Sequence, residues 1–378
     1  MSSPRSFAAT IIFLYAIVAF SDDYLGRVSS ITRVEYLHRA RVWRKVDIPN
    51  QNILAGPQSP IAVPLDHEVP CHYVEPDGSP GGFSPKFQCK LDSGEVVRVK
   101  YQSREVFGEI AGSRLLWALG FYADENYPVK IVCLDCPQKN PTDPSDEDVR
   151  GKLAIENAMI ERSFPGDEIE VQKDQGWEWN ELDHVDEKAG GAPRAQIDAL
   201  KLIAVFMQHN DSKQQQQRLA CLPQDIGSEG DKIICKQPVL MIQDLGSTFG
   251  MGGEEVTAAS SMYFRGWKNQ TVWNYAKEEE YAKENPEKQS CVANLVSAEF
   301  AKRDGLTNPL ISEAGRQFLA DLLNQLTDKQ ISDLFRVARS DKLGEMIYVQ
   351  GRKIPVTIED WVSAFKEKRQ EINNHRCL

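Results

Sequence analysis

Eight cysteines constrain this chain of 378 residues more than any other feature of its sequence. An even number of cysteines is typical of proteins whose thiols pair as disulfides in an oxidising compartment. Cys71 and Cys89 flank a turn rich in glycine and proline, and Cys221 and Cys235 flank a polar loop. Each of these two pairs is therefore positioned to cross-link a hairpin, although the sequence does not fix the connectivity.

Cys133 and Cys136 form a CxxC motif, which is found in zinc sites, in thiol–disulfide exchange and in structural disulfides. The chain has no second CxxC motif, and no histidine lies near this one in the sequence to complete a tetrahedral zinc site. We therefore expect a structural disulfide. Zinc ligation and redox exchange stay open as the alternatives.

An apolar run from Phe7 to Phe20 follows one arginine and precedes small and acidic residues. This order is typical of a secretory signal peptide. The run is shorter than the ~20 residues that a membrane-spanning helix needs, and no later segment is apolar enough to span a bilayer. We expect a signal peptide at residues 1–21, cleavage before Asp22, and a secreted or periplasmic mature protein without a membrane span.

The formal net charge is −11, and no cluster of lysine and arginine offsets it locally. A chain with this charge repels a phosphate backbone. Nucleic acid is therefore not an expected partner. Apolar residues make up 41% of the chain, which is enough to bury a full core.

Hydrophobic periodicity predicts a mixture of strands and helices. A hairpin is predicted around the turn Asp92–Gly94, because valines alternate with polar residues up to Lys100. A helix follows, with Ser103 as its N-cap. Further predicted elements are a strand at 127–134, a helix at 149–162, a buried helix at 195–207, strands before residue 243, and C-terminal helices capped by Thr327 and Thr357.

Several short motifs occur in an order that suits phosphoryl transfer, which depends mostly on positioning and on neutralising charge. Lys100 ends the strand Val-Val-Arg-Val-Lys, and the next helix carries Glu109, with Glu105 as the competing candidate. Asp211 lies in a His-x-Asp loop after the buried helix. Asp244 opens an Asp-Leu-Gly motif after a later strand.

This succession resembles that of the protein-kinase-like superfamily, and more its atypical HipA-like and lipid-kinase-like members than eukaryotic protein kinases. It is also similar to uncharacterised secreted bacterial proteins of this fold. The resemblance covers residues 78–250. It implies an α+β, bilobal kinase-like fold, with a small β-rich N-lobe at residues 22–150 and a larger, mainly helical C-lobe at 151–378.

The resemblance also implies a role for each motif. Lys100 and Glu109 would form the ion pair that holds the nucleotide phosphates, as the lysine of the V-A-I-K strand does. Asp211 would accept or orient the proton of the acceptor hydroxyl, and Lys213 would steady the γ-phosphate. His209 would orient its loop.

The implied cofactors are ATP and Mg²⁺ or Mn²⁺, with the metal held by Asp244 and by Gln216. Gln216 stands where the family has asparagine, so its amide oxygen lies on a longer side chain. The sequence of the implied phosphate loop departs from the pattern G-x-G-x-x-G. Its residues would be Gly81, Gly82, Ser84 and Lys86.

Three functional hypotheses follow. The first is a secreted atypical kinase that transfers phosphoryl from ATP to an unknown acceptor, which is a protein, a lipid or a small molecule. The second is a pseudokinase, a binding or scaffold module, which Gln216 and the irregular phosphate loop favour. The third is a redox protein that uses Cys133 and Cys136.

The candidate residues also have purely structural alternatives. Asp211 and Asp244 are alternatively turn caps, and Lys100 is alternatively a solvated lysine at a strand end.

Overall fold

The structure is a computed structural model that describes residues 25, 27–58, 62–75, 84–137, 150–230, 232–251, 261–295 and 305–377. The predicted signal peptide and two residues of the predicted phosphate loop, Gly81 and Gly82, lie outside this described part of the chain.

The helices of the described residues are α1 (Ser30–His38), α2 (Arg104–Leu119), α3 (Arg194–Met207), α4 (Phe264–Asn269), α5 (Tyr275–Glu284), α6 (Glu313–Asn324), α7 (Asp328–Val337) and α8 (Ile358–Asn374). The strands are β1 (Glu68–Val74), β2 (Lys86–Leu91), β3 (Val96–Tyr101), β4 (Glu125–Pro137), β5 (Arg150–Arg162), β6 (Asp167–Glu168), β7 (Gln217–Cys221), β8 (Ile226–Glu229), β9 (Lys232–Cys235), β10 (Pro238–Ile242), β11 (Ser290–Val292), β12 (Leu310–Ser312), β13 (Met346–Val349) and β14 (Arg352–Pro355). This mixture of helices and strands is compatible with the predicted α+β class.

The first five strands form a closed barrel in the order β1-β2-β3-β5-β4. The pairing of β1 with β4 is parallel, and the other four pairings are antiparallel. Val97 and Val99 of β3 belong to the apolar core of the barrel. Because side chains alternate along a strand, Arg98 and Lys100 lie on the opposite face. The predicted hairpin is confirmed, with Gly94 in its turn at φ 87°, a conformation that favours glycine.

The helix predicted at residues 149–162 is wrong, since residues 150–162 form β5. This strand lies between β3 and β4 and pairs with both. Ladders on both sides satisfy its backbone groups, and its apolar residues complete the core of the barrel. Tertiary pairing therefore overrides the local pattern.

The predicted buried helix is confirmed as α3, whose residues from Ile197 to Met207 are all buried. It begins after Pro193 and ends at Gln208, which adopts the left-handed conformation at φ 55°. This reversal carries the chain away from the helix axis. The His-x-Asp loop therefore emerges from the end of a rigid core element.

All eight cysteines lie at bonding distance in four pairs. The pairs predicted from the sequence, Cys71–Cys89 and Cys221–Cys235, are confirmed, and so is a disulfide within the CxxC motif. The fourth pair links β11 to the chain after α8. No helix of the described residues is long and apolar enough to cross a membrane.

Replacing Cys221 and Cys235 together by serine tests the cross-link of the β8–β9 hairpin. The pair closes a loop with a sequence separation of 14, so its loss is expected to lower the free energy of unfolding by about 3 kcal/mol. Guanidinium chloride denaturation of the oxidised protein measures the change. Ser228→Ala, an exposed substitution in the same hairpin, is the control. Equal stability of the double variant and the wild type would contradict the prediction.

Candidate active site

Lys100 is a buried cation that lies between two carboxylates. Its Nζ donates hydrogen bonds to both oxygens of Glu109, at 2.8 and 3.0 Å, and lies 2.7 Å from Oε2 of Glu161. The three residues are 5%, 1% and 5% exposed, respectively. Burial disfavours the charged form of Lys100, but Glu109, Asp244 and Glu161 outweigh burial and raise its pKa well above the ordinary value. Lys100 is therefore a charged core lysine and not a solvated strand end.

Two glycines let α2 bring Glu109 to Lys100. A Cβ atom on Gly108 would lie 2.8 Å from the carbonyl oxygen of Gly246, and one on Gly112 would lie 3.0 Å from Cβ of Leu245. Residues four apart lie on the same face of a helix. This face therefore packs directly on the Asp-Leu-Gly segment, and any side chain at either glycine would push the helix outward.

Asp244 follows β10 and lies at the centre of the site. Its Oδ1 accepts a hydrogen bond from the backbone N–H of Gly246 at 2.9 Å. Burial opposes its ionisation, but the ammonium group of Lys100 and this hydrogen bond outweigh burial and hold the pKa of Asp244 below its usual value. The site therefore contains an ionised carboxylate in a half-buried position.

The loop after α3 is fixed against the Asp-Leu-Gly segment by backbone hydrogen bonds. The N–H of Asn210 donates to the carbonyl of Ser247 at 3.0 Å. The carbonyl of Gln216 accepts from the N–H groups of Gln243 and Asp244 at 2.7 and 3.3 Å. These contacts place both ends of the loop beside Asp244.

Asp211 accepts hydrogen bonds from Lys213 and Gln216, two further residues of the predicted site. Nζ of Lys213 lies 2.9 and 2.7 Å from its two oxygens, and Nε2 of Gln216 donates to Oδ2 at 2.7 Å. The carboxylate is thus oriented and its charge is balanced within the loop.

His209 is fully buried next to Asp211, with its ring 6.4 Å from that of Trp179. Neither ring nitrogen has a hydrogen-bond partner among the described residues. Burial lowers the pKa of His209 to about 4, against the opposing effect of Asp211 and Asp244. The imidazole is therefore neutral at physiological pH.

The predicted phosphate loop reaches this site through its two described members. Lys86 lies opposite Lys100 in the β2–β3 register, and burial together with Lys100 lowers its pKa. The hydroxyl of Ser84 donates to the carboxylate of Glu105. Burial raises the pKa of Glu105, and the charge of Asp244 contributes to the rise.

Of the two candidate helix acids, Glu109 contacts Lys100, as the sequence favoured. Glu105 lies one turn before Glu109 in α2. A Cβ atom added to Gly246 would lie 3.1 Å from the Cβ atom of Glu105. The structure thus groups the charged side chains of Lys86, Glu105, Glu109 and Asp244 around Lys100, while backbone contacts hold the loop that carries Asp211 beside Asp244.

Carboxyl groups outnumber cations in this cluster. Four carboxylates and three cations interact with one another in it, and they are Glu105, Glu109, Glu161 and Asp244 against Lys86, Lys100 and Arg98. Burial and the other carboxylates hold the pKa of Glu109 well above its ordinary value, despite the ion pair with Lys100. A buried carboxyl group with a raised pKa either retains its proton or is stabilised in its ionised form by an added cation.

Sequence reasoning missed Glu161, which contacts Lys100 and also accepts a hydrogen bond from Arg98 at 2.6 Å. Glu161 is paired with Arg98 in the β3–β5 register. No local motif marks this position, and the helix predicted there concealed it. An alternation of apolar residues at Leu153 and Ile155 was the only available signal of a strand.

A cavity of about 340 Å³ adjoins this ion pair at the end of β5. Its lining includes Gln88, Val96, Arg98, Glu161 and Ser163. Small-molecule sites are mostly apolar, whereas charged and polar side chains form most of this lining.

Comparisons with known proteins give little further information. No family model matches the chain, and no curated protein matches its sequence. Among solved structures, the chain is similar to a proinflammatory kinase, CtkA, from Helicobacter pylori, with a TM-score of 0.38 and 8% sequence identity. The match covers 82% of this chain and 95% of that one. At this level of similarity, the functional argument depends on the site geometry alone.

Lys100→Met is expected to lower the free energy of unfolding at pH 7 by about 3–5 kcal/mol, because it leaves the buried Glu109 without its cation and removes one of the two cations of Glu161. Buried carboxylates have raised pKa values and are neutral when protonated, so the loss should shrink as the pH falls toward 4.5. Urea denaturation at several pH values measures it. Lys90→Met, at an exposed lysine of β2, is the control, and equal losses in both variants would contradict the prediction.

His209 is expected to make the fold sensitive to acid. The unfolded chain binds a proton at this residue below pH 6.5, whereas the folded chain binds it only near pH 4. Between pH 7 and pH 4 the wild type should therefore lose about 3 kcal/mol more stability than His209→Leu. Denaturation midpoints across this range measure the difference. His67→Gln, at an exposed histidine, should behave like the wild type, and parallel curves for all three proteins would disprove the assignment.

Proposed function

We propose that the chain is an atypical kinase-like phosphotransferase that transfers phosphoryl from ATP to an acceptor not yet identified. The observation that supports this proposal is the convergence of the Lys100–Glu109 ion pair, Asp244 and Asp211 on one site. These residues come from β3, α2 and two separate loops. Lys100, Asp211 and Asp244 are far apart in the chain, and turn caps or solvated side chains would not require them to meet.

A divalent metal fits the residues of this site. Asp244 is an ionised carboxylate, Gln216 has an amide oxygen, and hard cations such as Mg²⁺ and Mn²⁺ prefer oxygen ligands. The excess of carboxyl groups over cations in the cluster supports the same conclusion. When bound, the metal ion would neutralise the charge of the ATP phosphates.

The remaining roles follow from position. Lys100, held by Glu109, would donate to the phosphates, and Lys86 on the neighbouring strand would add a second ammonium group. Asp211 would accept or orient the proton of the acceptor hydroxyl, with Lys213 bound to the same carboxylate and close enough to steady the γ-phosphate. Backbone groups around Gly81 and Gly82 would complete the phosphate loop.

The nucleoside would occupy the cavity at the end of β5. Arg98 stands in this chain at the position of the alanine in the V-A-I-K strand. Its guanidinium is held at one edge by Glu161, while its side chain is 49% exposed. An exposed guanidinium face can stack on a base of any kind. We therefore propose weak discrimination among nucleobases.

We propose that a small β-rich lobe extends through the end of β5, since β5 closes the barrel, and that a larger, mainly helical lobe follows. A signal peptide at residues 1–21 and secretion or periplasmic export belong to the same proposal. Four disulfide-bonded pairs fit an oxidising compartment.

A nucleotide-binding module without turnover is the second candidate. Its supporting observation is that Gln216, which replaces asparagine, donates its amide group to Asp211. Lys213 already neutralises the same carboxylate. The carboxylate that would accept the proton of an acceptor hydroxyl thus already accepts three hydrogen bonds from these two side chains.

Nucleotide binding tests the shared premise of both candidates. Isothermal titration of the wild type with ATP and Mg²⁺ or Mn²⁺ should show metal-dependent binding. Asp244→Asn should weaken it by about 100-fold or more, because it removes a charged ligand of the metal. Asp321→Asn, at an exposed helix carboxylate, is the control. Absence of binding to the wild type would remove the nucleotide claim altogether.

Turnover then separates a kinase from a binding module. Asp211→Asn is expected to keep ATP affinity within a few-fold and to lower phosphate release or autophosphorylation by about 10²–10⁴-fold, because it removes the base and keeps the shape. Radiolabelled ATP measures both reactions. Equal turnover in this variant and the wild type would exclude Asp211 as the base, and no turnover in either would favour the binding module.

A further inference from the structure

Arg104 is the first residue of α2, the helix that carries Glu109. A cation at this position is opposed by the helix dipole, whose positive end is the N-terminus. Ser103 already caps the helix, since its side chain accepts a hydrogen bond from the N–H of Glu105 at 3.2 Å. An arginine at the start of α2 is therefore explained by the contacts that it makes outside the helix.

The guanidinium of Arg104 donates to four acceptors from the C-terminal half of the chain. Its Nε donates to the carbonyl of Ser261 at 3.0 Å, and its Nη2 to the carbonyl of Met262 at 2.7 Å. Its Nη1 donates to the carbonyl of Leu343 at 3.1 Å, and Nη2 also donates to Oε1 of Glu345. Because a guanidinium presents its donors in one rigid plane, this single side chain joins α2 to two separate segments.

Glu345, the charged partner of Arg104, is itself held in place. Both of its oxygens accept hydrogen bonds from the N–H of Phe264, at 3.1 and 2.9 Å. Its side chain is 8% exposed. Burial raises the pKa of Glu345, against the opposing effect of Arg104 and of the Phe264 N–H. Since Phe264 begins α4, the ion pair fastens the start of one helix to the start of another.

A second chain of contacts leads from the segment that binds Arg104 back to α2. The N–H of Met262 donates to the carbonyl of Thr248 at 2.8 Å. The hydroxyl of Thr248 donates to the carbonyl of Gly108 at 3.1 Å, and Gly108 directly precedes Glu109. The helix is thus attached at its first residue and again four residues later, both times to the segments that follow the Asp-Leu-Gly motif.

We propose that Arg104 is a positioning residue for the ion pair of Lys100 with Glu109. Its contacts hold the first turn of α2, and the rigid helix then sets where Glu109 stands relative to β3. The hydrogen bonds from Lys100 to both oxygens of Glu109, at 2.8 and 3.0 Å, tolerate little displacement of the helix. The consequence for nucleotide binding rests on the proposed function, whereas the positioning itself does not.

The reactivity of Lys100 toward an amine-acetylating ester, measured by peptide mass spectrometry at low modification, tests the positioning directly. Lys100 is 5% exposed and has a raised pKa, so it should react slowly in the wild type. Arg104→Met is expected to raise this rate by about 10-fold or more, because local release of α2 exposes the amine and frees it from Glu109. Lys201 and Lys368, buried lysines elsewhere in the fold, serve as internal references whose rates should not change.

Two further variants sharpen the comparison. Arg336→Met, at an exposed arginine of α7, should leave the rate at Lys100 equal to that of the wild type. Arg104→Lys keeps the charge but replaces the planar guanidinium by a single ammonium group, so it should give an intermediate rate. Denaturation midpoints show that each variant is folded under the labelling conditions.

Two results would overturn the proposal. The first is a rate at Lys100 in Arg104→Met that equals the rate in the wild type. The second is an equal rise at Lys100, Lys201 and Lys368, since a general loss of stability exposes all three. If Arg104→Met does not fold, Arg104→Lys decides, and a rate at Lys100 equal to that of the wild type overturns the proposal.

Titration with ATP and Mg²⁺ separates this inference from the proposed function. If the wild type binds ATP, Arg104→Met should bind it about 10-fold more weakly, because Lys100 is no longer held toward the phosphates. A wild type that binds no ATP would remove the proposed function and leave the labelling result standing. ATP binding with unchanged labelling would remove only the role of Arg104.

Discussion

The ammonium group of Lys100, held between Glu109 and Glu161, is the interaction on which the candidate site depends. A buried lysine is tolerated only with a carboxylate partner, so β3 and α2 must meet in one register. Gly108 and Gly112 permit that meeting, because a helix with side chains at those positions would stand off from the Asp-Leu-Gly segment. The ion pair, the helix and the segment that carries Asp244 therefore form one packed unit.

The sequence predicted those parts of the site whose signal is local. Lys100 at a strand end, Asp211 after a buried helix and Asp244 after a strand are each marked by neighbours within a few residues. Glu161 carries no such signal, since its place opposite Arg98 depends on β5 pairing with β3, two elements about 60 residues apart in the chain. The same limit explains why β5 was predicted as a helix. A strand that pairs on both sides needs no clean alternation, and its sequence then resembles that of a buried helix.

The number of carboxyl groups around Lys100 distinguishes a purely structural ion pair from a binding site. A structural ion pair would need one carboxylate for Lys100, yet two contact it, and the further acids Glu105 and Asp244 lie close by. Burial and this crowding raise the pKa of Glu105 and of Glu109, whereas Lys100 and the N–H of Gly246 hold the pKa of Asp244 down. The divalent metal that we propose would relieve this crowding.

The barrel positions two lysines of the candidate site. Its outer face carries Lys86 and Lys100, and its interior carries four disulfide-bonded cysteines, on strands that include β2 itself. The position of a lysine on a strand depends on how firmly the strand itself is held. Hydrogen-bond ladders hold β1 and β2 in the barrel, and the Cys71–Cys89 disulfide reinforces the pairing of these two strands. Loss of that cross-link without a replacement would loosen β2 first, because the chain immediately before it is joined to β1 by a connection rich in glycine and proline. The Cys71–Cys89 disulfide therefore helps to keep β2, and with it Lys86, in register with β3.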